Sequence, residues 1–149
     1  MENPRVPPPD RLPFRFSLRT RWSDEDNMGV LNNAVYLTLL EEGRYRWCER
    51  LGLLDGFRTF GFVLATTNLK FLAPGRGGAD LTLEMGTTAL GVKSFTQVYR
   101  LGAADGAAWL EAEAVMVIWD QVRRCAAPMP EPFRRAILRE EPHLSRQGC

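Results

Sequence analysis

At 149 residues the chain has the length of one domain, enough to bury roughly 70% of its unfolded surface in a single core and too short for a second independent one. Its 45% hydrophobic and 25% charged residues are those of an ordinary globular protein, which excludes a disordered, collagen-like or coiled-coil chain. Nineteen cations against eighteen anions leave +1, without the basic excess of a duplex-binding surface, so no nucleic-acid partner is expected. Three cysteines (Cys48, Cys125, Cys149) show no CxxC spacing and His143 is the sole histidine, so neither a zinc site nor a Cys/His nucleophile has its parts and no metal is expected. The first thirteen residues carry Arg and prolines instead of an apolar signal core, and no window approaches about eighteen consecutive apolar residues. A cytoplasmic protein with reduced thiols and no membrane partner is expected.

Met1 to Pro13, with Pro7, Pro8 and Pro9 in a row, reads as a flexible arm, because proline lacks the donors of a strand or helix ladder. From Phe14 to Trp22, Phe14, Phe16, Leu18, Thr20 and Trp22 alternate with Arg15, Ser17, Arg19 and Arg21, the period of a strand with one buried face. A polar turn, Ser23 to Gly29, leads into Val30-Leu31-Asn32-Asn33 and a proline-free run from Ala34 to Leu51. There Tyr36, Leu40, Trp47, Leu51 and Leu54, with Leu37 and Cys48, recur at helical intervals. This predicts one long amphipathic helix, capped by Asn32 or Asn33 and ended by Gly52. Gly43 in its middle costs about 1 kcal/mol relative to Ala, which points either to close packing on a sheet or to a local departure from the helix. Strands are predicted at Phe62–Leu72, Leu81–Thr88, Ser94–Leu101 and Ala108–Trp119, with Asp105-Gly106 as a hairpin turn. Pro128, Pro130 and Pro132 end the last strand, Phe133 to Arg139 reads as a short helix, and 140–149 as a polar tail.

One long helix and about five antiparallel strands make an α+β domain over 14–139, in which the helix, about 30 Å long, lies along a curved sheet and is wrapped by it. The segment Trp22 to Tyr36 then places acidic residues and paired asparagines where a strand gives way to the helix start. A helix start presents unpaired N–H groups and partial positive charge, suited to a developing oxyanion. The alternative for Asp24 and Asp26 is that they only stabilise a turn and complement the helix dipole.

The run Asp24-Glu25-Asp26-Asn27-Met28-Gly29-Val30-Leu31-Asn32-Asn33-Ala34-Val35-Tyr36, followed by Leu37 and Glu41-Glu42-Gly43-Arg44, resembles the signature of hotdog-fold acyl-CoA thioesterases of the 4-hydroxybenzoyl-CoA thioesterase type. Supporting motifs are Phe71-Leu72-Ala73-Pro74 with Gly78-Ala79-Asp80-Leu81, Lys93-Ser94-Phe95, and the stretch from Asp120 to Pro130; the resemblance covers Phe14 to Leu138. It departs at Val30, where the family often has His, and at Gly43, where Ala is usual. The missing His argues against a hydratase variant.

The resemblance implies hydrolysis of an acyl-CoA to a carboxylic acid and free coenzyme A. No cofactor is involved, since coenzyme A belongs to the substrate. Asp26 matches the catalytic carboxylate, acting as nucleophile or as general base on water. The backbone N–H of Asn33, with Ala34 as a second candidate, polarises the thioester carbonyl, and Asn32 either caps the helix or orients water. Tyr36 and Leu40 are the candidate acyl neighbours, with ordinary core packing against the sheet the alternative for both and the favoured one for Leu40, and Lys93 is either a coenzyme A phosphate contact or one exposed cation. Glu41 and Glu42 read as a solvated helix face or as partners of Arg44, Arg46 or the surroundings of Tyr45. The resemblance also implies a homodimer, with a homotetramer as a further step, because a lone module leaves sheet edges open. The competing functions are a non-catalytic acyl-CoA-binding module and an acyl-acyl carrier protein thioesterase.

Overall fold

The computed structural model describes residues 12–54 and 61–147. The N-terminal arm as far as residue 11, and Cys149, lie outside the described residues. Five strands, β1 (Phe14–Arg19), β2 (Phe62–Phe71), β3 (Asp80–Leu90), β4 (Ser94–Ala103) and β5 (Ala108–Asp120), pair antiparallel in the order β1-β3-β4-β5-β2. A two-residue strand, β6 (Cys125–Ala126), adds to the end of β5. The helix α1 runs from Asn33 to Arg50 and a second helix, α2, from Glu131 to Glu140. This is the expected hotdog arrangement of one long helix against an antiparallel sheet.

The strand expected as far as Trp22 stops at Arg19. The Asp24 carboxylate accepts the Arg21 N–H at 2.7 Å and folds Trp22–Asp24 into a 3-10 turn, which leaves the Trp22 side chain 83% exposed. Beyond it, Asn32 caps α1 as expected: its Oδ1 accepts the Ala34 N–H at 3.0 Å. Gly52 follows the helix at φ +72°, a conformation that costs glycine no steric clash. The helix continues through Gly43 without a break. A Cβ there would run into the Leu83 side chain of β3, so glycine is what allows α1 to lie this close to the sheet.

Tyr36, Leu39, Leu40, Trp47, Cys48 and Leu51 bury one face of α1, each large apolar side chain contributing roughly 1.5–3 kcal/mol. Trp47 stacks on Phe95 of β4 and meets Phe133 of α2 edge-on. Leu37, expected on the buried stripe, is exposed, and Arg44, expected beside the surface acids, is buried. The surface pair that does form is Glu42–Arg46, one helical turn apart at 3.1 Å.

The polar tail of the sequence reading also packs down in part. Residues Pro142–Gln147 form a 3-10 helix and Leu144 is buried. β1 pairs with β3 only as far as Met85, and the Glu141 carboxylate then takes the Thr87 N–H of β3 at 2.7 Å. The other edge, β2, is mostly exposed along its ten residues.

Candidate active site

The loop between β1 and α1 is built to hold a carboxylate beside a helix start. Glu25 and Leu31 bridge antiparallel, the Asp26 N–H donates to the Val30 carbonyl at 2.8 Å, and the Gly29 N–H donates to the Asp26 carbonyl at 3.1 Å. Gly29 turns the chain at φ +74°. Within this tight turn Asp26 Oδ1 accepts the Met28 N–H at 2.7 Å and the Val30 N–H at 3.4 Å. Oδ2 has no protein partner among the described residues, and the residue is exposed. One oxygen thus fixes the carboxylate's orientation while the other faces outward. The turn-stabilising and chemical readings of Asp26 are compatible, because they use different oxygens.

Asn33 is the first residue of α1, and its N–H donates to no protein acceptor among the described residues. The Ala34 N–H, the second oxyanion candidate, is already taken by Asn32 Oδ1. Asn32 is therefore a cap, and its own N–H donates to the Asp24 carbonyl at 2.9 Å.

The loop 75–79 anchors this turn to the sheet, a role that the sequence motif around Pro74 and Gly78 did not reveal. The Leu31 N–H donates to the Gly75 carbonyl at 2.9 Å and the Gly77 N–H to Glu25 Oε1 at 2.9 Å. A Cβ at Gly75 would lie 2.6 Å from the Tyr36 hydroxyl, 2.8 Å from Trp109 and 3.0 Å from Leu31. Glycine is required there because helix, sheet and loop converge on its α-carbon. The signal was present in the run Pro74-Gly75-Arg76-Gly77-Gly78, since clustered glycines mark close backbone approach.

Tyr36 sits one turn into α1, 2% exposed, with its ring edge-on to Phe71 at 5.3 Å between centroids. Burial raises its phenol above the ordinary range, and a backbone hydrogen bond from Gly75 partly offsets this. Leu40, a turn further on, is fully buried in the core. Lys93 is exposed in the turn before β4, beside Ile118, whose N–H its carbonyl accepts at 2.8 Å. That is the opposite end of the sheet from the helix start, since Ile118 pairs with Phe62 whereas Leu110 pairs with Phe71. Roughly 30 Å of strand separates the two ends. Within one chain, Asp26, Asn32 and Asn33 share the β1–α1 junction, Tyr36 lies a turn into α1 against Phe71 and Gly75, and Lys93 lies at the other end of the sheet. No group of three or more His, Cys, Asp or Glu side chains placed to hold a metal occurs among the described residues.

The five-stranded antiparallel sheet with one long helix is the frame of a hotdog domain. Residues 20–137 match the model of the thioesterase-like superfamily, and the chain belongs to that family. Over 113 residues it is 31% identical to the chloroplastic acyl-acyl carrier protein thioesterase ATL3 of Arabidopsis thaliana, covering 72% of this chain but only 58% of that protein. The chain thus spans somewhat over half the length of this curated relative. Among solved structures it is similar to a thioesterase from Thermus thermophilus complexed with coenzyme A and Zn, at 28% identity, 88% and 96% coverage and a TM-score of 0.76. It also resembles in fold a 1,4-dihydroxy-2-naphthoyl-CoA thioesterase from Synechocystis, at 24% identity, 83% and 94% coverage and a TM-score of 0.73.

Proposed function

We propose that the protein is an acyl-CoA thioesterase, in which Asp26 and the Asn33 N–H act on opposite sides of one carbonyl. The observation that carries this reading is that both groups are unpartnered among the described residues at one loop-to-helix junction, the carboxylate of the loop through Oδ2 and the amide at the first position of α1. As general base, Asp26 takes a proton from water while the oxygen of that water adds to the thioester carbon. The oxyanion is stabilised by the Asn33 N–H and the partial positive charge of the helix start. Collapse expels the thiolate, which takes up from Asp26 the proton that came from water. As nucleophile, Oδ2 adds directly, expels the thiolate and leaves an anhydride that water cleaves. Both routes end in a carboxylic acid and free coenzyme A, and neither needs a cofactor.

The working unit in this proposal is a cytoplasmic homodimer, open to further pairing as a tetramer. The exposed ten-residue edge of β2 supports it, because an uncovered strand of that length is a template for pairing. Two β2 strands pairing antiparallel would carry the Lys93 end of one protomer towards the Asp26 end of the other, where Lys93 could meet the phosphates of coenzyme A. No helix among the described residues is long and apolar enough to cross a membrane. The similarity to the Arabidopsis enzyme supports acyl carrier protein as a second carrier. The test is thiol release from a panel of acyl-CoAs and acyl-acyl carrier proteins. Turnover of coenzyme A thioesters supports the proposal, turnover of carrier-protein thioesters alone moves the carrier, and binding without cleavage favours a non-catalytic module.

A further inference from the structure

β1 pairs with β3 only as far as Met85, and what finishes the edge beyond it comes from residues after the 20–137 stretch that the family model matches. At Thr87 of β3, the N–H donates to Glu141 Oε1 at 2.7 Å. The Thr87 carbonyl lies 3.4 Å from His143 Nε2, which donates to it when that nitrogen carries the proton. Two side chains, two residues apart, thus replace the pair of backbone bonds that a longer β1 would give Thr87. A Cβ at Gly86 would meet Pro13, Leu12 and Glu141 Oε1, so the start of the chain helps to wall the carboxyl in.

Glu141 is 1% exposed, and its other oxygen, Oε2, is enclosed with no protein partner among the described residues. As a neutral acid it leaves a hydroxyl unpaired there. As an anion it leaves a full charge out of water with one N–H donor, which costs far more. No ion pair among the described residues includes Glu141. Of the groups packed around it, α2 brings Glu140, whose charge repels and which Arg139 pairs at 3.8 Å, and the C-terminal 3-10 helix brings His143, whose charged form attracts. β3 and the start of the chain bring the uncharged Gly86, Thr87, Leu12 and Pro13. Burial outweighs the Thr87 bond and His143 and raises the carboxyl above the ordinary 4.5. The segment it holds is otherwise lightly fastened: of Pro142, His143, Leu144 and Ser145, Leu144 alone is buried. The Leu144 N–H and the Ser145 hydroxyl bond back to the Glu141 and Pro142 carbonyls, not to the sheet.

We infer that residues 141–147 form a pH-sensitive strap, docked on the end of β3 while Glu141 is protonated and released when it ionises, so that the edge at Thr87 opens while the rest of the sheet stays folded. The docked carboxyl holds its proton more tightly than the released one, which returns to water and to the ordinary 4.5. Docking is therefore fullest below that value and weakens as pH rises from it through the docked-state value. Release uncovers the N–H and carbonyl of Thr87 and needs no other strand to move.

The test is amide hydrogen exchange of the full chain, read by NMR from about pH 4.5 to about pH 8.5 and corrected for the intrinsic rate of each amide, in wild type, Glu141→Gln and His143→Gln. In wild type the protection of the Thr87 amide should fall by about 10-fold or more across that range, a factor of ten for each unit by which docking raises the carboxyl. The core amides of Leu83 and Leu101 should keep their protection. Glu141→Gln, which keeps an acceptor for Thr87 and cannot ionise, should hold Thr87 protected at every pH. His143→Gln, which keeps a donor for the Thr87 carbonyl, should retain the fall. A flat wild-type profile, or loss of protection at Leu83 and Leu101 in step with Thr87, would overturn the inference. So would a fall that persists in Glu141→Gln or disappears in His143→Gln. If one variant fails to fold, the wild-type profile and the other variant decide.

Discussion

Replacing Gly75 with Ala should damage stability and activity together, because one α-carbon is the meeting point of the helix, the sheet and the Asp26 loop. The added methyl would lie 2.6 Å from the Tyr36 hydroxyl, 2.8 Å from a Trp109 ring carbon and 3.0 Å from Leu31 Cβ, all inside normal contact. Tyr36 and Trp109 are buried, so neither can swing aside freely. Overpacking of this kind costs about 1–3 kcal/mol, which for a domain of this size lowers Tm by roughly 2–12 °C. The strain also acts on the Leu31–Gly75 hydrogen bond, two residues before the Asn33 amide, so kcat should fall. Tyr36→Phe removes the nearest clashing atom. In a double-mutant cycle read by thermal and urea melts, the pair should recover about 0.5–2 kcal/mol relative to the sum of the single changes. A Gly75→Ala variant with unchanged Tm, or strict additivity with Tyr36→Phe, would refute this account of how the loop is held.

Glu141 gives a pH signature. Burial raises its carboxyl above the ordinary glutamate range, against the opposing pull of the Thr87 N–H and His143, while Glu140 pushes it further up. The folded state therefore binds this proton more readily than the unfolded state, so stability from this group rises as pH falls through its folded pKa and is lost at higher pH. Glu141→Gln keeps an acceptor for Thr87. Its stability gain over wild type should be largest at neutral pH and shrink towards pH 4.5, the unperturbed value; urea melts across that range would contradict this by giving a constant difference. Thiol labelling at pH 8 followed by peptide mapping should modify exposed Cys125 rapidly and Cys48 only on unfolding, because the buried Cys48 thiol is pushed up to about 12. Equal labelling of the two in the native protein would contradict the packing of α1.

The strands and the long helix were legible from runs of apolar residues between proline and glycine breaks. Capping chemistry placed Gly52 and narrowed the helix start to Asn32 or Asn33, of which Asn32 makes the cap. Trp22 misled because period-two alternation continued past Arg19, while a local side-chain bond from Asp24 to the Arg21 N–H had already turned the chain. Arg44 misled because charged residues on helices usually face water; its burial depends on Tyr99, fifty-five residues away. The packed end of the tail was hidden for a similar reason, since Glu141 is held by the β3 backbone and not by neighbours in sequence. At the candidate site, the nearness of Asp26, Asn32 and Asn33 in the chain was legible because one short loop supplies them all, while the role given to Asp26 came from the family resemblance. Gly75 could be read only as a glycine, since what it touches comes from three separate elements. Lys93 was grouped with the site through family resemblance, and nothing local says which end of the sheet it occupies.

The proposed chemistry rests on the free oxygen of Asp26. The most direct measurement is thiol release by wild type and Asp26→Asn on the best acyl-CoA of the panel, with folding checked by thermal melting. Asn keeps an Oδ1 able to accept the Met28 and Val30 N–H groups, so the loop should survive while the nucleophile or base is lost. The expected result is an unchanged fold with kcat lowered by about 100-fold or more. Full activity in Asp26→Asn would contradict the account.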